Sequence, residues 1–345
     1  MTDATIAITI LWVFLFIYSL LGSVDFGAGF WSMLFGRDSN DKDARAAVVA
    51  NNFLSPSWKV TNTFLVLFVV ALVGFFPGAT YSLASLLLVP VCLVLVLLTI
   101  RSAFMVYAYS VSKYGRTLRI ISGITGLLIP GLLVGVLAVT LGGFVEELPD
   151  GGLALDYGAL LKSPTLYAHL AFGYATELFF SALFLADYAQ EAHDASTYRV
   201  YRRLAVIFGP LNLLTALLVT WSMPVEASWL VENLKHEMLW FLLSIAAFAV
   251  GYVFLFVKRA DGSIGRTRIT VICVAIQYAI ASFAYGRAHL PYILYPYVTL
   301  ESGITNPAMF RSLLIGYTVS TILLIPVFIL FWKLFLKDKR YLKQE

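Results

Sequence analysis

The chain has 345 residues, 60% of them hydrophobic and only 13% charged, with a mean hydropathy of +0.84. That composition excludes a soluble globular domain and makes the chain a polytopic membrane protein. The net charge of +4 belongs to loops and calls for no nucleic-acid partner, and Cys92 and Cys273, both inside apolar runs without CxxC spacing, argue against a disulfide framework or a thiolate metal site.

A bilayer core of about 30 Å needs about 20 apolar residues per helix. On that measure the chain divides into nine spans, near 5–35, 57–76, 80–108, 118–144, 165–190, 202–223, 237–257, 268–290 and 308–336. The first is too long for a signal-peptide core and has neither a basic leader nor a small-residue cleavage site, so it counts as a helix of the mature protein. Alternate loops and the tail collect Arg37, Lys42, Arg45, Lys113, Arg116, Arg119, Arg199, Arg202, Arg203, Lys258, Arg259, Arg266, Arg268, Lys333, Lys337, Lys339, Arg340 and Lys343. The other loops hold only Lys162, Lys235, Arg287 and Arg311. Eighteen basic residues against four predict an N-terminus outside and a C-terminus in the cytoplasm.

Spans one to four and five to eight run in the same sequence of directions, and span five, like span one, carries an acid near its inner end, Asp187. The predicted fold is therefore all-α, with nine transmembrane helices arranged as two four-helix bundles plus one peripheral helix. Residues 1–145 form the first bundle, 146–290 the second, and 291–345 an outer loop, the ninth helix and a basic tail. Pro90, Pro130, Pro210 and Pro326 shape the spans that contain them. Between spans, 226–240 reads as a short amphipathic helix along the outer surface.

The stretch LGSVDFGAGFW from Leu20 to Trp31 sets one carboxylate, Asp25, deep in the first span. A charge there costs about 3 kcal/mol or more unless it is protonated, paired or wetted. Gly22, Gly27 and Gly29 would let another backbone come close. Arg101, at similar depth in span three, is the candidate partner. Pairing makes Asp25 structural, whereas a protonatable Asp25 could pass protons, and the sequence leaves both open. Glu177, a dozen residues into span five, is a second and weaker relay candidate, and Asp187 reads as an interfacial acid facing Arg199, Arg202 or Arg203. Span two has a polar entry, with Asn51, Asn52, Pro56, Trp58, Lys59 and Asn62. Lys59 can snorkel and Trp58 can join an aromatic belt, or the entry faces Asp25 and admits water.

No phosphate loop, dinucleotide fingerprint or HExxH motif is present. His169 and His289 lie near the outer ends of spans five and eight, where a haem between them is one reading and interfacial hydrogen bonding the preferred one. The chain is thus expected to bind no cofactor and no metal, with no catalytic residue of its own.

GSVDFGAGF resembles the first-helix signature of subunit II of bd-type quinol oxidases. Pro56 and Trp58 at the entry of span two, Arg101 near the end of span three, and the GRAHLPYILYP segment leading to Pro326 resemble that family in order and spacing. The resemblance covers the whole chain and implies a multi-pass protein of a bacterial or archaeal cytoplasmic membrane. It implies a heterodimer with subunit I, which holds two b-type haems and one d-type haem and oxidises quinol while reducing oxygen to water. It leaves room for a small single-helix subunit and for bound lipid. By resemblance, Asp25 helps to deliver protons from the cytoplasm. Members of that family often carry an acid directly after the tryptophan of span two where this chain has Lys59, so no second acidic relay is assigned there. The rival class is a proton-coupled secondary transporter using Asp25 and Glu177, and a third reading is a scaffold with no proton role.

Overall fold

In the computed structural model, residues 3–36, 41–110, 115–149, 151–259, 262, 264–304 and 307–331 are described. Arg37, Lys113 and the tail from Lys333 onward lie outside the described residues, as do the side chains of Lys42 and Pro56.

The long apolar runs become long helices. In chain order they are α1 (Asp3–Phe35), α2 (Asp41–Phe75), α3 (Pro77–Leu86), α4 (Leu88–Ser110) and α5 (Gly115–Thr140). A hairpin of β1 (Val145–Glu147) and β2 (Leu153–Leu155) leads to α6 (Tyr157–Lys162), α7 (Pro164–Glu191) and α8 (Ala195–Ser222). After a 3-10 turn come α9 (Ser228–His236), α10 (Met238–Phe254) and α11 (Thr267–His289). A second hairpin, β3 (Tyr292–Leu294) and β4 (Val298–Thr299), precedes α12 (Leu300–Gly303) and α13 (Pro307–Phe331).

Among the described residues eight helices are long and apolar enough to cross a membrane, and α9 with α10, bent by 74°, make a ninth when counted as one span. Residues 226–240 therefore do contain a short separate helix, α9, set at an angle to the span that follows. Two boundaries differ from the sequence prediction. The second helix starts at Asp41, well before its apolar part, and this extension is held by Tyr201, whose hydroxyl donates to the Ala46 carbonyl at 2.7 Å. The third span is interrupted at Leu87. Pro90 then falls in the first turn of α4, where its missing N–H costs nothing, instead of kinking one continuous helix. Pro130, Pro210 and Pro326 do lie inside helices α5, α8 and α13.

Helix α1 is central and packs along α2, α5 and α7, while α7 pairs with α8, α10 with α11 and α4 with α5. Helix α13 packs mainly on α2 and α1 and exposes most of its large apolar side chains. One apolar core joins Phe14, Phe75, Phe76, Phe310 and Leu294 at the end that carries both hairpins. Another joins Trp31, Phe179, Phe180 and Tyr201 toward the basic end. The site lies between them, along α1.

Candidate functional site

Tyr18, Gly22, Asp25, Gly29 and Ser32 recur at intervals of three and four along α1, which puts them on one face. Gly27 and Trp31 face α7 instead. A Cβ on Gly27 would run into Ser181, and the Trp31 Nε1–H donates to Ser181 Oγ at 2.9 Å. A Cβ on Gly29 would stand 2.8 Å from Ser122 Oγ and 3.0 Å from Arg101 Nη1. The two glycines thus let α7 and α5 approach α1 from different sides and leave a slot for one guanidinium.

Arg101 fills that slot. Its Nη2 donates to the Asp25 carbonyl at 3.0 Å and to Asp25 Oδ2 at 3.3 Å. Its Nη1 donates to the Ser122 carbonyl at 2.7 Å and to Ser122 Oγ at 3.2 Å. The guanidinium lies 5.1 Å from the centre of the Phe26 ring. Both side chains of the ion pair are only 3% exposed, so bulk solvent scarcely screens the attraction.

Beside the pair is a cavity of about 10 Å3 lined by Asp25, Phe26, Trp58, Asn62, Leu98, Arg101, Ser102 and Met105. That is room for about one water molecule. Trp58 Nε1 is buried without a protein partner, as is Arg101 Nε. The structure therefore brings Asp25, Arg101, Trp58 and Asn62 to one place. Lys59 does not join them: its side chain is exposed and its ammonium lies 6.0 Å from the Trp58 ring centre. Glu177 is 1% exposed, with neither carboxyl oxygen hydrogen-bonded, on the α7 side of α1.

Ser122 and Ser102 are site residues that the sequence did not single out. The available signal was the small and polar run Ser122, Gly123, Thr125, Gly126 inside an otherwise apolar span. Tyr18, with a buried hydroxyl lacking a protein partner, has only its spacing from Asp25 to mark it.

Asp187 corrects one expectation. It pairs with Arg268 of α11, whose Nε donates at 2.8 Å, and accepts from the Thr267 hydroxyl at 3.2 Å, rather than meeting Arg199, Arg202 or Arg203. At the hairpin end Trp229 stacks on Tyr295 at 4.3 Å, and Arg287 pairs with Glu237 at 3.2 Å.

His169 and His289 are both buried near the hairpin end, and the Nε2 of each has no hydrogen-bond partner in the chain. Each ring donates its Nδ1–H to a backbone carbonyl, that of Thr165 at 2.7 Å and that of Tyr292 at 2.9 Å. The His289 ring is flanked by Trp229 at 5.3 Å and Tyr285 at 6.0 Å. Among the described residues no group of three His, Cys, Asp or Glu side chains could hold a metal ion.

Comparison with known proteins adds three findings. The model of the family described as cytochrome bd terminal oxidase subunit II matches residues 3–335. The chain is 46% identical to a Bacillus subtilis (strain 168) protein named putative cytochrome bd menaquinol oxidase subunit II, over 100% of this chain and 99% of the other. Its fold is similar to that in a structure of bd oxidase from Geobacillus thermodenitrificans, with a TM-score of 0.83 and 36% identity over 98% of this chain and 100% of the other.

Proposed function

The chain belongs to the family of subunit II of cytochrome bd terminal oxidases, a membrane subunit of an oxygen-reducing quinol oxidase, and from that premise we propose that it carries no haem and stabilises a haem-bearing subunit I. In this reading it also supplies a proton path from the cytoplasmic side. The observation that carries the path is the buried Asp25–Arg101 pair opening on a cavity sized for one water. Water in that cavity has Asp25, Asn62, Ser102 and the Trp58 N–H as partners, enough to orient it for transfer of a proton to or from the Asp25 carboxylate.

The charges define the division of labour. The pair is at once a structural tie between α1 and α4 and, through the Asp25 carboxyl group, the proton carrier of this reading. Glu177, buried without a hydrogen-bond partner, is the second relay group. The haems of the complex are assigned to subunit I, where electrons from quinol reach oxygen, and the residues here hold and hand on protons only. The name of the Bacillus subtilis relative favours menaquinol as the substrate of the complex. No observation favours the transporter reading.

Isolating the complex through a tag on this chain tests the assignment. A spectrum with b-type and d-type haem bands is expected, and a chain that purifies under mild detergent with no haem protein would overturn it. Asp25→Asn tests the path: oxygen consumption should fall at least tenfold with the haem content intact.

A further inference from the structure

The basic end of α8 and α10 holds a group of cations that the Asp25 site does not use. Arg199, Arg202 and Arg203 lie in the first turns of α8, and Lys258 follows the end of α10. Among the described residues, Asp187 and Glu191 are engaged by Arg268, Asp194 caps α8, and none of the four cations has a carboxylate partner.

Arg202 differs from an ordinary arginine at a span end because it is tied down. Its Nε donates to the Leu255 carbonyl at 2.9 Å, and its guanidinium lies 5.6 Å from the centre of the Phe256 ring. Leu255 caps α10, so the arginine satisfies an acceptor that the helix end leaves open and spans from α8 to α10. One turn earlier, the Tyr198 hydroxyl donates to the Ile264 carbonyl at 2.7 Å. Gly265, at a φ of +103°, lets the returning chain come in under both side chains, because a Cβ there would collide with the Tyr198 hydroxyl and stand 3.2 Å from Arg202 Nε. Within the described residues Arg202 hydrogen-bonds only through Nε. The fork of its two terminal nitrogens stays open, held in place before any ligand arrives.

An apolar seam runs from this point toward the membrane middle. Tyr252 wedges the two helices apart: its hydroxyl donates to the Val206 carbonyl at 2.9 Å, and a Cβ on Gly209 would meet its ring at 3.0 Å. Phe248, Tyr252 and Phe256 form one aromatic ladder, with centroids 5.7 and 5.4 Å apart. Phe256 and Val253 are exposed on one flank. Ile207 is exposed on the other, one turn from the exposed Arg203 on the same face of α8.

We propose that this seam binds one anionic phospholipid. Its phosphodiester sits on Arg202, Arg203 and Lys258, and an acyl chain lies along Phe256, Val253 and Ile207. The guanidinium fork matches two phosphate oxygens, and cations set between helices at the end of a span are suited to an acidic headgroup. A soluble anion would use the cations and leave the apolar flank bare. A zwitterionic lipid would bring its own cation to a site that already has an excess of them.

Native mass spectrometry of the complex, isolated in mild detergent and titrated with phosphatidylglycerol or phosphatidylcholine, tests this. The parent should hold one phosphatidylglycerol that phosphatidylcholine does not replace. Arg203→Gln and Lys258→Gln, both on exposed side chains, should each weaken it about fivefold and together about thirtyfold. Arg116→Gln removes an equal charge from an exposed position on α5 and should change nothing. Unaltered binding in the double variant would overturn the site, and so would an equal loss in Arg116→Gln, which would mean that diffuse charge is responsible. Equal retention of phosphatidylcholine would overturn the headgroup contact. In the parent, displacement of the lipid by inorganic phosphate at constant ionic strength would show a site for a soluble anion and overturn the lipid.

Discussion

Arg101 holds Asp25 twice, at its carbonyl and at its carboxylate, through a single nitrogen at 3.0 and 3.3 Å. One side chain of α4 thus fixes both the backbone of α1 and its charge. Removing the cation leaves a buried carboxylate unpaired, which costs about 3 to 5 kcal/mol. Arg101→Gln should therefore lower the melting temperature of the complex and its haem yield more than Asp25→Asn, which leaves the Asp25 carbonyl bond in place. Arg101→Lys keeps the charge but cannot reach Asp25 and Ser122 together, and should fall between them in the same melting assay.

The glycines of α1 should rank by what they admit. At Gly29 an added methyl meets Ser122 and Arg101, and at Gly27 it meets Ser181 and the Glu177 carbonyl at 3.2 Å. At Gly22 the closest atoms belong to the Phe26 ring, 3.3 Å away. Overpacking of this kind costs about 1 to 3 kcal/mol. Gly27→Ala and Gly29→Ala should both destabilise the complex by that order, and Gly22→Ala by less, in thermal unfolding followed by tryptophan fluorescence. Only Gly29→Ala should also slow turnover, because only there does the methyl push on the ion pair.

Much of this was legible in the sequence. Asp25 stood out because an acid inside an apolar run is costly, and Arg101 because it sits at matching depth. Trp58 and Asn62 stood out as polar residues at a span entrance. Ser122 was not legible, since serine in a membrane helix most often bonds its own backbone and nothing local says that its carbonyl will meet an arginine. The partner of Asp187 was misread for a related reason. Arg199, Arg202 and Arg203 are closer in sequence, but the turn before α11 brings Arg268 closer in space. The break at Leu87 escaped because Pro90 is compatible with either a kink or a first turn, and hydropathy does not distinguish them.

Asp194 gives a stability test outside the membrane helices. It caps α8, accepting from the Ser196 and Thr197 backbone N–H groups at 3.1 Å and from their hydroxyls at 2.7 and 2.6 Å. Partial burial pushes its carboxyl group up, but the hydrogen bonds from Thr197 and Ser196 outweigh that and hold it below the usual carboxylate range. A depressed folded-state value means that the cap contributes fully above the ordinary carboxylate range and is lost as pH falls through the lower, folded value. Asp194→Ala should cost about 1 kcal/mol at neutral pH. Melting curves of both proteins at decreasing pH should converge in acid.

The cavity beside Asp25 separates a wet path from a merely structural pair. Trp58 contributes an N–H that has no protein partner, and Asn62 and Ser102 complete a polar wall. Asn62→Leu fills a space of about 10 Å3 with an isobutyl group and removes a water ligand. A better-packed apolar wall should leave stability within about 1.5 kcal/mol of the parent. If a water in that space passes protons to Asp25, turnover measured as quinol-driven oxygen uptake should fall about tenfold, the equivalent of about 1.4 kcal/mol in the barrier. Lys59→Ala, on an exposed side chain outside the cavity, should change stability by no more than about 0.5 kcal/mol and leave uptake unaltered. Equal activity of Asn62→Leu and the parent would mean that the space beside Asp25 is dry in the working enzyme and that protons enter elsewhere.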